Sequence, residues 1–237
     1  VDGFGRLMDR LGTKVIAHSK SVVFAGLSLM VLGAYGATKV QVNDDRIDTF
    51  YEHEPIHIAD KIINSTMDGT NNLDIVIETP NPEDLFEPTN LQKIEALQEY
   101  VETLPTVGGS TSVADFIKQM YKSLNGSDDA YYIIPESKEL IAQLFLLYSA
   151  SGEPTDFEEE IDYDYQLANI RVNIDTGLYS ENKRVIDTVQ LYIDQNFNEE
   201  GVITATLSGR VNLNYNWVGN IGAVSYTHLR AHETKWH

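Results

Sequence analysis

The chain contains no cysteine. That excludes a disulfide scaffold, a thiolate zinc site and a cysteine nucleophile. Basic residues are scarce: 17 Lys and Arg stand against 36 Asp and Glu, a formal charge of -19. Phosphate backbones are held by clustered Lys and Arg, so this balance argues against a nucleic-acid partner. No Gly-rich phosphate loop, no internal repeat and no Ser/His/Asp set with a nucleophile turn is present. Gly and Pro number only 16 and 7, and aromatic residues make up 10% of the chain. That is not the composition of a disordered or low-complexity protein. The 237 residues suffice for one large or two small domains with a real core.

The charge is unevenly spread. Residues 1–39 hold five basic residues (Arg6, Arg10, Lys14, Lys20, Lys39) against two acidic ones, a net of +3. Residues 40–220 hold 10 basic and 33 acidic residues, a net of -23. Just before the boundary runs an uncharged stretch from Ser21 to Thr38, SVVFAGLSLMVLGAYGAT. With Val15, Ile16 and Ala17 ahead of it, it reaches the roughly 20 residues that span a bilayer. Lys20 and Lys39 can snorkel to the two interfaces. Gly26, Gly33, Gly36 and Ala37 leave small spots where another helix packs closely.

Three readings of this run compete: a buried helix of a soluble protein, a cleaved signal peptide, and a permanent membrane helix. A charge-free run of this length is unusual in a soluble core. Ala34, Gly36 and Ala37 would suit a cleavage site. However, Phe4, Leu7, Met8, Leu11 and Val15 fall on one helical face before the run. A signal peptide has a short basic start, not an amphipathic helix. The membrane helix is favoured. The expected layout is then a cytoplasmic amphipathic helix over 1–20, a transmembrane helix over 21–38, and an acidic extracytoplasmic domain over 39–222.

The C-terminal residues stand apart. Three of the six histidines, His228, His232 and His237, crowd the last ten positions. Val224 to Thr234, VSYTHLRAHET, resembles the translation of a transposon-derived sequencing adapter. A metal site built from His228 and His232 is the competing reading. Residues 223–237 are therefore expected not to be native and are left out of the fold reasoning. With Val1 at the start, the chain reads as a fragment of a longer protein.

The acidic block reads as one α+β unit. Leu73, Ile75 and Ile77 alternate with Asp74, Val76 and Glu78, which predicts a largely buried strand. A helix follows, with Thr89 and Gln92 fitting a capping box and Leu91, Ile94, Leu97, Val101 and Leu104 on its apolar face. Pro105 stops it. Thr106 to Thr111 is a strand weakened by Gly108 and Gly109. Further on, Ile170, Val172 and Ile174 alternate with polar residues. Val185, Val189, Ile193 and Phe197 mark a helix, and Ile203, Ala205 and Leu207 a last strand. Two strand–helix–strand halves predict a ferredoxin-like, split βαβ fold, with helices on one face of a four-stranded sheet. A helical insertion lies between the halves at about 112–150. Ser112 and Asp115 cap its first helix, and Pro135 opens the second. An acidic stretch from Glu153 to Asp164 follows.

Few residues suggest chemistry. His53, Glu54 and His57 spell HEPIH, a literal match to the HExxH zinc-protease pattern. That chemistry needs both histidines one turn apart on a continuous helix. Pro55 favours the first turn of a helix carrying Ile56, Ile58, Ile62 and Ile63, which leaves His53 outside. No metal site and no catalytic residue is expected. The acidic stretch lacks the spacing of an EF-hand loop and reads as a solvated loop. Asn64-Ser65-Thr66 and Asn125-Gly126-Ser127 are glycosylation sequons, triplets that are common by chance.

Three stretches carry a family resemblance. One is VQVNDDRIDTFYEHEPIHIADKIINSTMDGTNNLDIVIET, from Val40 to Thr79. A second is LPTVGGSTSVADFIKQM, from Leu104 to Met120. The third pairs IPESKELIAQLFLLYS, from Ile134 to Ser149, with DYDYQLANIRVNI, from Asp162 to Ile174. After a basic amphipathic start and one membrane helix, this succession resembles the opening of an RND-superfamily exporter of the MMPL type. The resemblance spans about residues 1–222. It implies a proton-driven inner-membrane exporter of hydrophobic or lipid-like molecules, with the acidic domain as its periplasmic porter. The implied partners are the lipid bilayer, an amphiphilic substrate, and the remaining membrane helices and second porter domain of a longer protein. No proton-relay residue and no cofactor is implied for this chain, since intramembrane acidic residues mark such relays. Phe116, Met120, Tyr121, Phe145 and Tyr148 of the insertion are the candidate substrate lining. They would otherwise simply pack the insertion onto the sheet. The alternative function is a single-helix, membrane-anchored extracytoplasmic binding or sensor module. A hydrolase resting on HEPIH comes third.

Overall fold

The structure is a computed structural model. It describes residues 3–39, 43, 45–151, 160–197 and 202–220. The chain divides into two units, Val1–Val42 and Asn43–His237.

The first unit is two helices, α1 (Gly3–Ala17) and α2 (Ser19–Ala37). None of their residues is buried. The helices part at His18, so Val15, Ile16 and Ala17 belong to α1 and do not extend the apolar run as the sequence suggested. The 19 residues of α2, at about 1.5 Å each, still cover about 28 Å, close to the thickness of a hydrocarbon core. This one helix is long and apolar enough to cross a membrane. α1 is amphipathic, with Phe4, Leu7, Met8, Leu11 and Val15 all exposed.

The second unit is α+β. Its sheet contains β1 (Asn71–Glu78), β2 (Val107–Ser112), β3 (Leu167–Ile174) and β4 (Thr204–Ser208), in the order β2-β3-β1-β4. Every neighbouring pair is antiparallel. The two halves are therefore interleaved: β1 and β2 run parallel with β3 between them, and β3 and β4 run parallel with β1 between them. Helix α4 (Pro88–Glu102) joins β1 to β2, and α7 (Tyr179–Asn196) joins β3 to β4.

Register puts the apolar residues on one face, because directly opposed residues point the same way. Leu73 opposes Val172, and Ile75 opposes both Ile170 and Leu207. These join Leu91, Ile94, Leu97 and Val101 of α4 and Val185, Val189 and Ile193 of α7 in one core. The other face is polar. There Asn72 opposes Asn173, Asp74 opposes Arg171, and Val76 opposes Thr206.

Two predicted helix starts are displaced. α4 begins at Pro88, with Glu87 as its cap and no side-chain capping bond. Thr89 and Gln92 thus sit inside the first turns, and the expected capping box is absent. Proline at the first helical position supplies the pre-set φ instead. α6 (Lys138–Ser151) begins three residues after Pro135. Its cap is Ser137, whose Oγ accepts the Leu140 N–H at 3.2 Å. The box at α5 (Val113–Leu124) is formed as predicted, with Ser112 and Asp115 capping reciprocally.

The glycines of β2 have a positive role. The pairing of β2 with β3 slips between Val107 and Gly109. At Gly108 a Cβ would stand 2.0 Å from the Asp68 carbonyl oxygen. Only glycine lets the backbone approach there. α3 (Pro55–Thr66), a final helical stretch over 209–220 and short 3-10 turns at Arg46–Thr49, Asp84–Phe86 and Asp129–Tyr131 complete the described elements.

Candidate functional site

The aromatic candidates fall into separate contacts. Phe145 on α6 is wholly buried. Its ring lies 5.3 Å from that of Phe86 and 5.4 Å from that of Tyr165. Phe116 on α5 and Tyr148 on α6 meet edge to face at 5.7 Å. Tyr121 meets Tyr131 the same way at 5.5 Å. Met120 is half-buried against the same core. Such ring separations are those of favourable aromatic packing. The contacts join α5 to α6 and α6 to the segment around Phe86. Phe116, Met120, Tyr121 and Tyr148 keep part of their surface open, and Phe145 keeps none.

Beside them lies a polar network on α4 and α5. Ser112 Oγ donates to Gln98 Oε1 at 2.5 Å, and Gln98 Nε2 donates to Asp115 Oδ2 at 2.6 Å. Lys118 Nζ lies 2.8 Å from Glu95 and 3.4 Å from Asp115, over the ring of Tyr132. Burial pulls the Lys118 pKa down. The Glu95 hydrogen bond and the negative charges around it outweigh that, so the net shift is upward. An open groove runs over this network, with Glu99, Glu102 and Thr111 on its walls.

A second concavity lies elsewhere on the unit. It encloses about 140 Å³ between the 45–47 segment, Asp60 of α3, Thr70 and Asn71, the 177–182 segment, and Arg210 to Asn214. Its residues are far apart in sequence and carry no motif. Sequence reasoning missed all of them, and no local pattern would have found them.

The remaining candidates resolve simply. Pro55 is the first residue of α3, Glu54 is its cap, and His53 lies outside the helix. His57 faces Asp48 at 3.9 Å, and His53 stacks on Tyr51. The two histidines therefore do not share a helix face, which removes the basis for the HExxH reading. Among the described residues, no group of three or more His, Asp or Glu is placed to hold a metal ion. Of the acidic stretch, 153–159 lie outside the described residues. Asp162 accepts the Gln166 and Leu167 N–H groups at 2.8 Å each, shaping the turn into β3. The Asn64 amide is engaged by Asp60 and Thr70. The adapter-like tail from Ala223 onward lies outside the described residues. No protein-family model matches the chain, and no curated protein matches it.

Proposed function

We propose that the chain is the N-terminal part of a proton-driven RND-superfamily exporter of the MMPL type. In this reading α2 crosses the bacterial inner membrane, with α1 on the cytoplasmic side. The sheet unit is a periplasmic porter of ferredoxin-like fold, through which hydrophobic or lipid-like cargo passes. One observation carries the reading: an apolar, membrane-length helix, charged only at Lys20 near its start, precedes a sheet of order β2-β3-β1-β4 built from two interleaved strand–helix–strand halves. The strongly acidic character of residues 40–220 against the basic flank supports the same orientation. The open surfaces of Phe116, Met120, Tyr121 and Tyr148 are the proposed cargo contact.

The polar cavity favours a second reading, an anchored extracytoplasmic binding module. The absence of cysteine makes a topology test direct. Single cysteines placed at Thr13 and Thr188 are challenged in intact cells with a membrane-impermeant maleimide. Labelling at Thr188 alone supports both membrane readings, and labelling at neither overturns them. The reading frame beyond Gly222 then separates the two. About five further hydrophobic helices support the exporter, and their absence leaves the binding module.

A further inference from the structure

The polar cavity has unsatisfied walls. Asn182 is only 4% exposed, and its Oδ1 has no hydrogen-bond partner. Asn182 is one of the residues lining the cavity. Burying an unpaired amide is unfavourable, so such a group calls for a partner. Two arginines, Arg46 and Arg210, line the same walls. Arg210 Nη2 donates to the Thr70 carbonyl at 3.0 Å and to Asn71 Oδ1 at 2.7 Å. Arg46 has no ion-pair partner among the described residues. Two carboxylates balance them. Asp60 is committed to Asn64 and Thr70 at 2.8 Å each. Asp45 accepts the Ile47 N–H at 3.1 Å through Oδ1 alone.

We propose that this cavity binds a small zwitterion the size of an α-amino acid. Arg46 and Arg210 receive its oxyanion, and Asp45 and Asn182 Oδ1 receive its ammonium. Three features select this class. Two cationic and two anionic side chains make a wall with no net charge, which matches a net-neutral ligand carrying both signs. The guanidinium fork suits carboxylate or phosphate oxygens. The volume of about 140 Å³ equals the liquid-volume share of about five waters, room for one small solute. The guanidiniums disfavour a bare metal cation, and the carboxylates disfavour a simple anion. The inference rests on the cavity alone and not on the exporter reading.

The test is calorimetric titration of the full chain in detergent with three net-neutral zwitterions: glycine, L-serine and the phosphodiester glycerophosphoethanolamine. Acetate and methylammonium serve as half-ligands. At least one zwitterion is expected to bind saturably, about tenfold or more tighter than either half-ligand. Arg46→Gln, at an exposed position, is expected to weaken that binding about tenfold without altering the circular dichroism spectrum. Arg210→Gln and Asn182→Leu are expected to do the same. Glycerophosphoethanolamine binding above the amino acids identifies a phospholipid headgroup as the source, and the reverse identifies a free solute. Absence of saturable binding by all three at millimolar concentration overturns the proposal, as does binding that Arg46→Gln leaves unchanged. Either result leaves a cavity that holds only water.

Discussion

The Asp45 carboxylate lies against the backbone of Gly177, in space that a side chain at 177 would fill: a Cβ there would stand 2.3 Å from Oδ1. Close by, Asn43 Oδ1 accepts the Ser180 N–H at 3.0 Å, in the first turn of α7. Asn43 and Asp45 are thereby held at the start of α7. Gly177→Ala is expected to push the carboxylate aside, not the backbone. The loss should be modest, about 1 kcal/mol, read by urea denaturation. It should be non-additive with Asp45→Ala, which removes the obstructing group.

Gly108→Ala is expected to be far worse. Its obstacle is the Asp68 backbone, with the carbonyl oxygen 2.0 Å from the new Cβ. A carbonyl cannot rotate away as a carboxylate can. The cost should exceed about 3 kcal/mol, through displacement of the turn before β1 or loss of the β2–β3 register. Denaturation of the two alanine variants side by side checks the ordering.

The Lys118 network gives a pH prediction. The ammonium is favoured in the folded state, so its pKa there lies above the unfolded value. Its contribution is complete below the unfolded pKa of about 10.4 and is lost as pH rises through the folded value. Tyr192 acts in the same direction, because burial and then the charge of Tyr100 raise its pKa. Stability should therefore fall above about pH 10. Lys118→Met should remove part of that alkaline loss. It also leaves Glu95 and Asp115 without their cation, costing about 1–3 kcal/mol at pH 7. Thermal melts between pH 7 and 11 check both effects.

Thr106 offers a stabilising change. It has a φ of 70°, and its buried Oγ1 has no partner. A β-branched residue is strained in that region, and an orphan hydroxyl adds to the cost. Thr106→Gly is expected to raise stability by about 1 kcal/mol, net of the entropy glycine adds to the unfolded chain. The midpoint of urea unfolding measures it.

Residue order alone made much of the architecture legible. The period-two alternation of Leu73, Ile75 and Ile77 and of Ile170, Val172 and Ile174 marked β1 and β3. The Ser112/Asp115 pair marked the start of α5. The uncharged run marked α2. These signals are local: each depends on residues within a few positions of one another, where backbone period and capping chemistry act. Pro55 marked the start of α3, but the starts of α4 at Pro88 and of α6 after Ser137 were less legible, because several residue types serve as caps.

What the sequence by itself determined is the four strands and the main helices up to Asn196, the sidedness of the sheet and the segregation of charge. Tertiary structure alone decided the strand order and the need for glycine at 108 and 177. It also split the aromatic candidates among separate contacts and brought Arg46, Asn182 and Arg210 to one cavity. The physical reason is range. Hydrophobic period and capping are written between near neighbours, whereas close approach, cavity walls and charge balance arise between residues tens to more than a hundred positions apart, which only the folded chain brings together.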